Sequence, residues 1–181
     1  MTIANLITLV RFVLIPAIIY AMARGEMGWA AAGFLIAGIS DGVDGFVARQ
    51  FNQRSELGAW LDPLADKLLL VTVFVALGLI DELPLWLVIL AVSRDGLIMS
   101  AVVLSTIMQH PVEMRPLMVS KANTAVQIML AALVLTELAF SARFGSVRDW
   151  LIVVSALLTA SSTAAYFVTW LKHMGGYAAS E

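Results

Sequence analysis

Residues 28–80 read GWAAAGFLIAGISDGVDGFVARQ (28–50), FNQRSELGA (51–59) and WLDPLADKLLLVTVFVALGLI (60–80). Two apolar stretches, each of about the 20 residues a helix needs to cross a bilayer core, flank a short joint running from Arg49 to Ser55. Outward from this pair, further apolar stretches run at about 3–23, 84–109, 117–140 and 147–172, so six spans are predicted. The remaining joints are Arg24-Gly25-Glu26, Asp81-Glu82-Leu83, His110 to Pro116 and Ser141 to Asp149, with Pro84 set for a helix start and Pro111 for a stop. Open sheet edges cannot be satisfied in lipid, and no alternating strands with aromatic girdles appear. The expectation is an all-α membrane protein, a six-transmembrane-helix bundle forming one domain over residues 1–181.

Composition agrees. Of 181 residues 61% are hydrophobic and 13% charged, with a mean hydropathy of +0.92, where soluble domains carry about a quarter charged residues. Eleven Lys+Arg against 13 Asp+Glu, a net charge of -2, leave no basic surplus for nucleic acid. The chain has no cysteine, hence no thiolate nucleophile or zinc ribbon, and the distant His110 and His173 receive no chemistry. Any metal must therefore bind oxygen. Ala21-Met22-Ala23 has the form of a signal-peptide cleavage site, but Arg11 interrupts the apolar core that such a peptide needs. Lys and Arg in the joints count five on the side of the termini (Arg49, Arg54, Arg115, Lys121, Lys172) and three opposite (Arg24, Arg143, Arg148), favouring termini inside. Trp29, Trp60, Trp86, Trp150 and Trp170 fall near span ends, as interfacial anchors do. No import segment precedes span one, so a bacterial inner membrane is expected, with the acidic site on the cytoplasmic side.

An ionisable residue inside a span costs roughly 2.5–3.5 kcal/mol on insertion scales, which makes such residues functional candidates. Asp41 and Asp44 lie three apart near the end of span two, and Asp62 and Asp66 four apart near the start of span three, so each pair shares a helix face. A short joint makes spans two and three antiparallel neighbours, bringing both pairs to one membrane side. Four carboxylates there require positive charge between them, and hard oxygen ligands suit Mg²⁺ or Mn²⁺, two ions matching four carboxylates in charge. Such ions keep positions for substrate phosphate. Gly42, Gly45, Ala48 and Gly58 offer little bulk, and Arg49 supplies a bidentate phosphate donor. Plainer readings exist for single residues. Gly33/Ala37 and Gly38/Gly42 are small-xxx-small packing patterns, and Asp62 before Pro63 is either an N-cap or, if the helix begins near Ser55, an interior residue beside a kink.

In order, the segment is Asp41-x-x-Asp44-Gly45-x-x-Ala48-Arg49, eight residues, then Gly58-x-x-x-Asp62-x-x-x-Asp66. This resembles the complete signature of the CDP-alcohol phosphatidyltransferases, every position filled over 26 residues. The resemblance implies that Asp41, Asp44 and Asp62 bind the metals, that Asp66 reaches a metal and acts as general base, and that Gly45, Ala48 and Arg49 contact the CDP group. It also implies a homodimer. Asn5-x-x-Thr8-x-x-Arg11 is similar to the family's amino-terminal pattern, with Ala4 where proline is common; Asn5 and Thr8 either line the nucleotide side or pack. Ser93-Arg94-Asp95 and the segment Ser120 to Gln127 resemble the CMP-forming cardiolipin-synthesising members more than the phosphatidylglycerophosphate synthases. The substrates implied are CDP-diacylglycerol and phosphatidylglycerol. Candidates for the acceptor phosphate are Lys121, Arg94, Arg115 and Arg54, although Arg94 reads equally as a structural partner of Asp95 or another span. Two other readings compete. Glycerol 3-phosphate is the acceptor in a phosphatidylglycerophosphate synthase, and intramembrane carboxylates also build cation transporters, though these need no phosphate-binding Arg.

Overall fold

A computed structural model contains six helices in sequence: α1 (Ile3–Ala23), α2 (Met27–Phe51), α3 (Glu56–Leu79), α4 (Leu85–Ile107), α5 (Met118–Phe140) and α6 (Gly145–Ala178), with no strand among the described residues. The structure describes the backbone of residues 3–51, 56–107 and 118–178, and the side chains of 9–40, 64–101, 107 and 118–171. Each predicted span corresponds to one helix. Two bounds differ usefully: α6 continues past residue 172, and α3 begins at Glu56, which makes Asp62 and Pro63 interior residues rather than a cap and first turn. Pro63 thus removes one rung of the α3 hydrogen-bond ladder.

Three helices end in the same way at one end of the bundle. The amides of Glu26, Glu82 and Ala142 donate to carbonyls five residues back (Ala21, Leu77 and Glu137, at 2.9, 2.9 and 3.1 Å), and the residues before them have positive φ: Gly25 at 75°, Asp81 at 61°, Ser141 at 52°. This is the left-handed C-cap that satisfies the last helical carbonyls and turns the chain. Only Gly25 adopts it without steric cost.

α1 packs on α2 and α3, α5 on α2, α3 and α6, and α4 on α3 and α6. α1 approaches α2 at Gly33, where an added Cβ would lie 2.9 Å from Ile18 Cγ1; Ala30 and Ala37 on the same stripe are buried. Gly33/Ala37 is therefore a packing stripe, whereas Gly38 faces open space. That stripe admits α1, which lies against both α2 and α3; the side chains of α2 and α3 next to their joint, where the two helices are expected to meet, lie outside the described residues. The core joins Ile18, Phe34, Val73, Phe74, Leu77, Leu87, Leu130 and Leu135.

The outer surface is apolar as well. Val13, Ile39, Leu79 and Leu157 are all more than 60% exposed, an outside that water would not tolerate. Trp29 and Trp86 are exposed in the first turns of α2 and α4 and Trp150 in the second turn of α6, at the end that carries the three turns, where an aromatic belt would sit. Among the described residues α5 (Met118–Phe140) and α6 (Gly145–Leu171) are long and apolar enough to cross a membrane, and Leu9–Ala23 and Met27–Ser40 add shorter apolar stretches. The chain is an all-α membrane bundle.

Candidate active site

The register of the helices places the acidic residues. Ile18 of α1 meets Gly33 of α2 across an antiparallel pair. Seven residues back along α1 is Arg11 and seven on along α2 is Ser40, so at about 1.5 Å per residue Arg11 stands level with Ser40 and Asp41. Arg11 in turn forms an ion pair with Asp66 of α3. Asp41 and Asp66 therefore lie at levels that differ by no more than the reach of an arginine side chain, with Arg11 as the marker. Counting from the helix ends agrees: Asp41 lies ten residues before Phe51 and Asp66 ten after Glu56, about 15 Å each, while Asp44 and Asp62 lie seven and six residues from those ends. The connection from Phe51 to Glu56 reaches at most about 18 Å.

The side chains of Asp41, Asp44, Gly45, Ala48, Arg49, Gly58 and Asp62 lie outside the described residues, as do those of Asn5 and Thr8 in α1. Arg54 and Arg115 lie outside them altogether. Helix membership nonetheless keeps Asp41 with Asp44 on one face of α2, and Asn5 and Thr8 on the face of α1 that carries Arg11. Among the described residues, which include the side chain of one signature carboxylate, Asp66, no three acidic or imidazole groups cluster. The four signature residues are all carboxylates, and a buried guanidinium counters Asp66. That chemistry fits hard divalent cations.

Arg11 is 1% exposed, in a helix apolar over most of its length, and such a charge is tolerated only with a partner. Asp66 is that partner, its side chain 43% exposed. The next residue on α3, Lys67, pairs with Asp95 of α4, whose Oδ1 also accepts from Arg94 Nη1 at 2.5 Å. Arg94 is buried and held on every nitrogen. Its Nε and Nη2 donate to Ser162 Oγ of α6 at 3.3 and 2.8 Å, Nη2 also meets Ser120 Oγ of α5, and the guanidinium lies 5.8 Å from the Tyr166 ring centre. The structural reading of Arg94 thus has four protein partners, tying α4 to α5 and α6. Lys121, beside Ser120 in the first turn of α5, is exposed and has no partner among the described residues. Sequence reasoning passed over Lys67 and Ser162; the available signal for Lys67 was a charge directly after the acidic signature, inside an apolar span.

Below this level the α5–α6 seam is polar too. Thr159 Oγ1 accepts from Gln127 Nε2 at 3.3 Å and lies 2.9 Å from Asn123 Oδ1 and 2.7 Å from the Ser155 carbonyl, to either of which its single proton can go. The opposite end of the bundle holds a different ionic group. Arg148 pairs with Glu82 and with buried Glu137, and Glu137 Oε1 accepts the Phe144 amide at 2.5 Å. A cavity of about 860 Å³ opens there, remote from the signature carboxylates. A second, apolar cleft of about 540 Å³ runs between α4 and α6 past Leu97, Ala101, Phe167 and Trp170, with Arg94 at its wall.

The chain is similar to human cardiolipin synthase (CMP-forming), 33% identical over 182 residues, covering 92% of this chain and 60% of the human protein. A cardiolipin synthase (CMP-forming) / mitochondrial hydrolase fusion protein of Schizosaccharomyces pombe is 35% identical over 93% of this chain and 31% of its own length. The Streptomyces coelicolor cardiolipin synthase (CMP-forming) is 34% identical over 55% of this chain and 49% of its own. The chain thus spans about 60% or less of the length of these relatives. The family model described as CDP-alcohol phosphatidyltransferase matches residues 1–170, the whole bundle up to the last turns of α6, and on that match the chain belongs to the CDP-alcohol phosphatidyltransferase family.

Proposed function

We propose that this chain is a CMP-forming cardiolipin synthase, moving the phosphatidyl group of CDP-diacylglycerol onto phosphatidylglycerol. The observation that carries the reading is the closeness in level of Asp41, Asp66 and the buried Arg11, reached by two independent counts along the helices. The names of the human, yeast and Streptomyces relatives support the choice of acceptor.

In this reading Asp41, Asp44, Asp62 and Asp66 hold two divalent cations, Mg²⁺ or Mn²⁺. When bound, such ions would neutralise the diphosphate and the negative charge that builds on the phosphoryl and leaving-group oxygens. Arg49 grips the diphosphate with its guanidinium fork, while Gly45, Ala48 and Gly58 let the nucleotide approach backbone. Asp66 accepts the proton of the attacking acceptor hydroxyl, and Arg11 fixes the orientation of that carboxylate. As the new O–P bond forms at the β-phosphorus, the bond to the CMP oxygen breaks. Positioning and charge supply the rate gain, since phosphoryl transfer asks for little covalent help. With no cysteine in the chain, direct displacement is the simplest course. The family resemblance supports a homodimer, and the five-to-three count of joint cations supports placing the acidic end on the cytoplasmic side.

The test offers purified protein CDP-diacylglycerol with either phosphatidylglycerol or glycerol 3-phosphate and identifies the lipids by mass. Cardiolipin and CMP with phosphatidylglycerol are expected. CMP release with glycerol 3-phosphate alone would replace the proposal by a phosphatidylglycerophosphate synthase.

A further inference from the structure

Among the described residues beside the Arg11–Asp66 pair, one ionic group is uneven: Lys67 and Arg94 share one carboxylate oxygen, Asp95 Oδ1. The two cations are held very differently. Arg94 is 3% exposed and bound to three helices, so it cannot leave without stranding a buried charge. Lys67 is 41% exposed, sits on a flexible stem and has Asp95 as its partner. If Lys67 turns away, Asp95 keeps Arg94 and no charge is left uncompensated. The group Lys67–Asp95–Arg94 therefore carries one surplus positive charge, and the residue able to move it follows Asp66 directly, with Cα atoms about 3.8 Å apart.

A surplus of one matches a phosphodiester, which is a monoanion, better than a phosphomonoester dianion. Stability alone gives little reason for a lysine here, because Asp95 already has Arg94 and an ion pair with a part-exposed lysine adds little. Resting on the functional reading above, we propose that Lys67 is the handle for the acceptor's phosphodiester: it exchanges Asp95 for the phosphate of an acceptor glycerophospholipid and so holds the attacking hydroxyl beside Asp66. Asp95 is the placeholder that keeps Lys67 extended along α4 until the acceptor arrives.

Purified unaltered protein, Lys67→Met and Lys67→Arg are compared with CDP-diacylglycerol and phosphatidylglycerol, each varied in turn, together with thermal unfolding in detergent. Removing one charge-assisted phosphate contact should raise the KM for phosphatidylglycerol roughly tenfold or more in Lys67→Met. The KM for CDP-diacylglycerol and the unfolding midpoint should stay unchanged, and Lys67→Arg should recover most of the loss. An unchanged acceptor KM in Lys67→Met overturns the inference, and so does an equal rise in both KM values, which reports a disturbed bundle. Unaltered protein that makes no cardiolipin overturns the functional reading and this inference with it. Active unaltered protein with an indifferent Lys67→Met overturns the inference alone.

Discussion

A single carboxylate, Asp66, meets both the structural and the chemical demands of the site. It compensates a guanidinium that is almost wholly buried, and in the proposed reaction it takes the proton of the attacking hydroxyl. These roles separate in Asp66→Asn, because asparagine keeps a carbonyl oxygen to accept from Arg11 but is a very weak base. We expect the variant to bind CDP-diacylglycerol measurably while turnover falls by two orders of magnitude or more, of the size general-base removal commonly costs. Binding by a fluorescent liponucleotide and CMP release read the two effects; full activity removes Asp66 as the base. Arg49→Lys tests the donor side of the same centre. A point charge cannot reproduce a bidentate fork, so the KM for CDP-diacylglycerol should rise while that for phosphatidylglycerol holds, and unchanged donor kinetics would reject the contact. Residue identities of this kind were legible from sequence, since acidic side chains in apolar spans announce themselves by their cost. For Arg94 the pairing with Asp95 was legible too, but Ser120 and Ser162 were not, because they are 26 and 68 residues away and only the packing of the helices selects them.

At the scale of elements, all six helices follow from apolar runs and their joints, and the bounds of α1 and α5 agree to within a residue. The turns were less legible. Gly25 is an evident left-handed cap, but Asp81 and Ser141 adopt the same conformation with no glycine to mark it. A serine there carries a steric cost of about 1–2 kcal/mol. Ser141→Gly should therefore raise stability by about 0.5–1 kcal/mol, read as a higher unfolding midpoint in detergent with activity unchanged. Asp81→Gly should gain less, because aspartate tolerates this region better. A lower midpoint for Ser141→Gly would show that its side chain is needed in the turn. The role of α1 was also hidden: the Gly33 stripe on α2 takes Ile18 of α1, and α1 lies against α3 as well.

Across the whole molecule the two ends divide the work. One end holds the three left-handed turns, the exposed tryptophans and the Arg148–Glu82–Glu137 group, which locks the connections among α3, α4, α5 and α6. The level of Arg11, Asp66, Lys67, Asp95 and Arg94 lies toward the other, where α2 hands the chain to α3. The contacts at the far end tie the helix connections together, and the proposed site depends on the register that this gives α2 and α3 at the other end. The central claim is that these carboxylates jointly hold a pair of dications. Electron paramagnetic resonance of purified protein titrated with Mn²⁺ in the presence of CDP-diacylglycerol tests it most directly. Two ions roughly 3.5–4 Å apart should give a spin-coupled signal that disappears in Asp41→Asn and in Asp62→Asn. A single uncoupled ion, or coupling that survives both substitutions, would contradict the account.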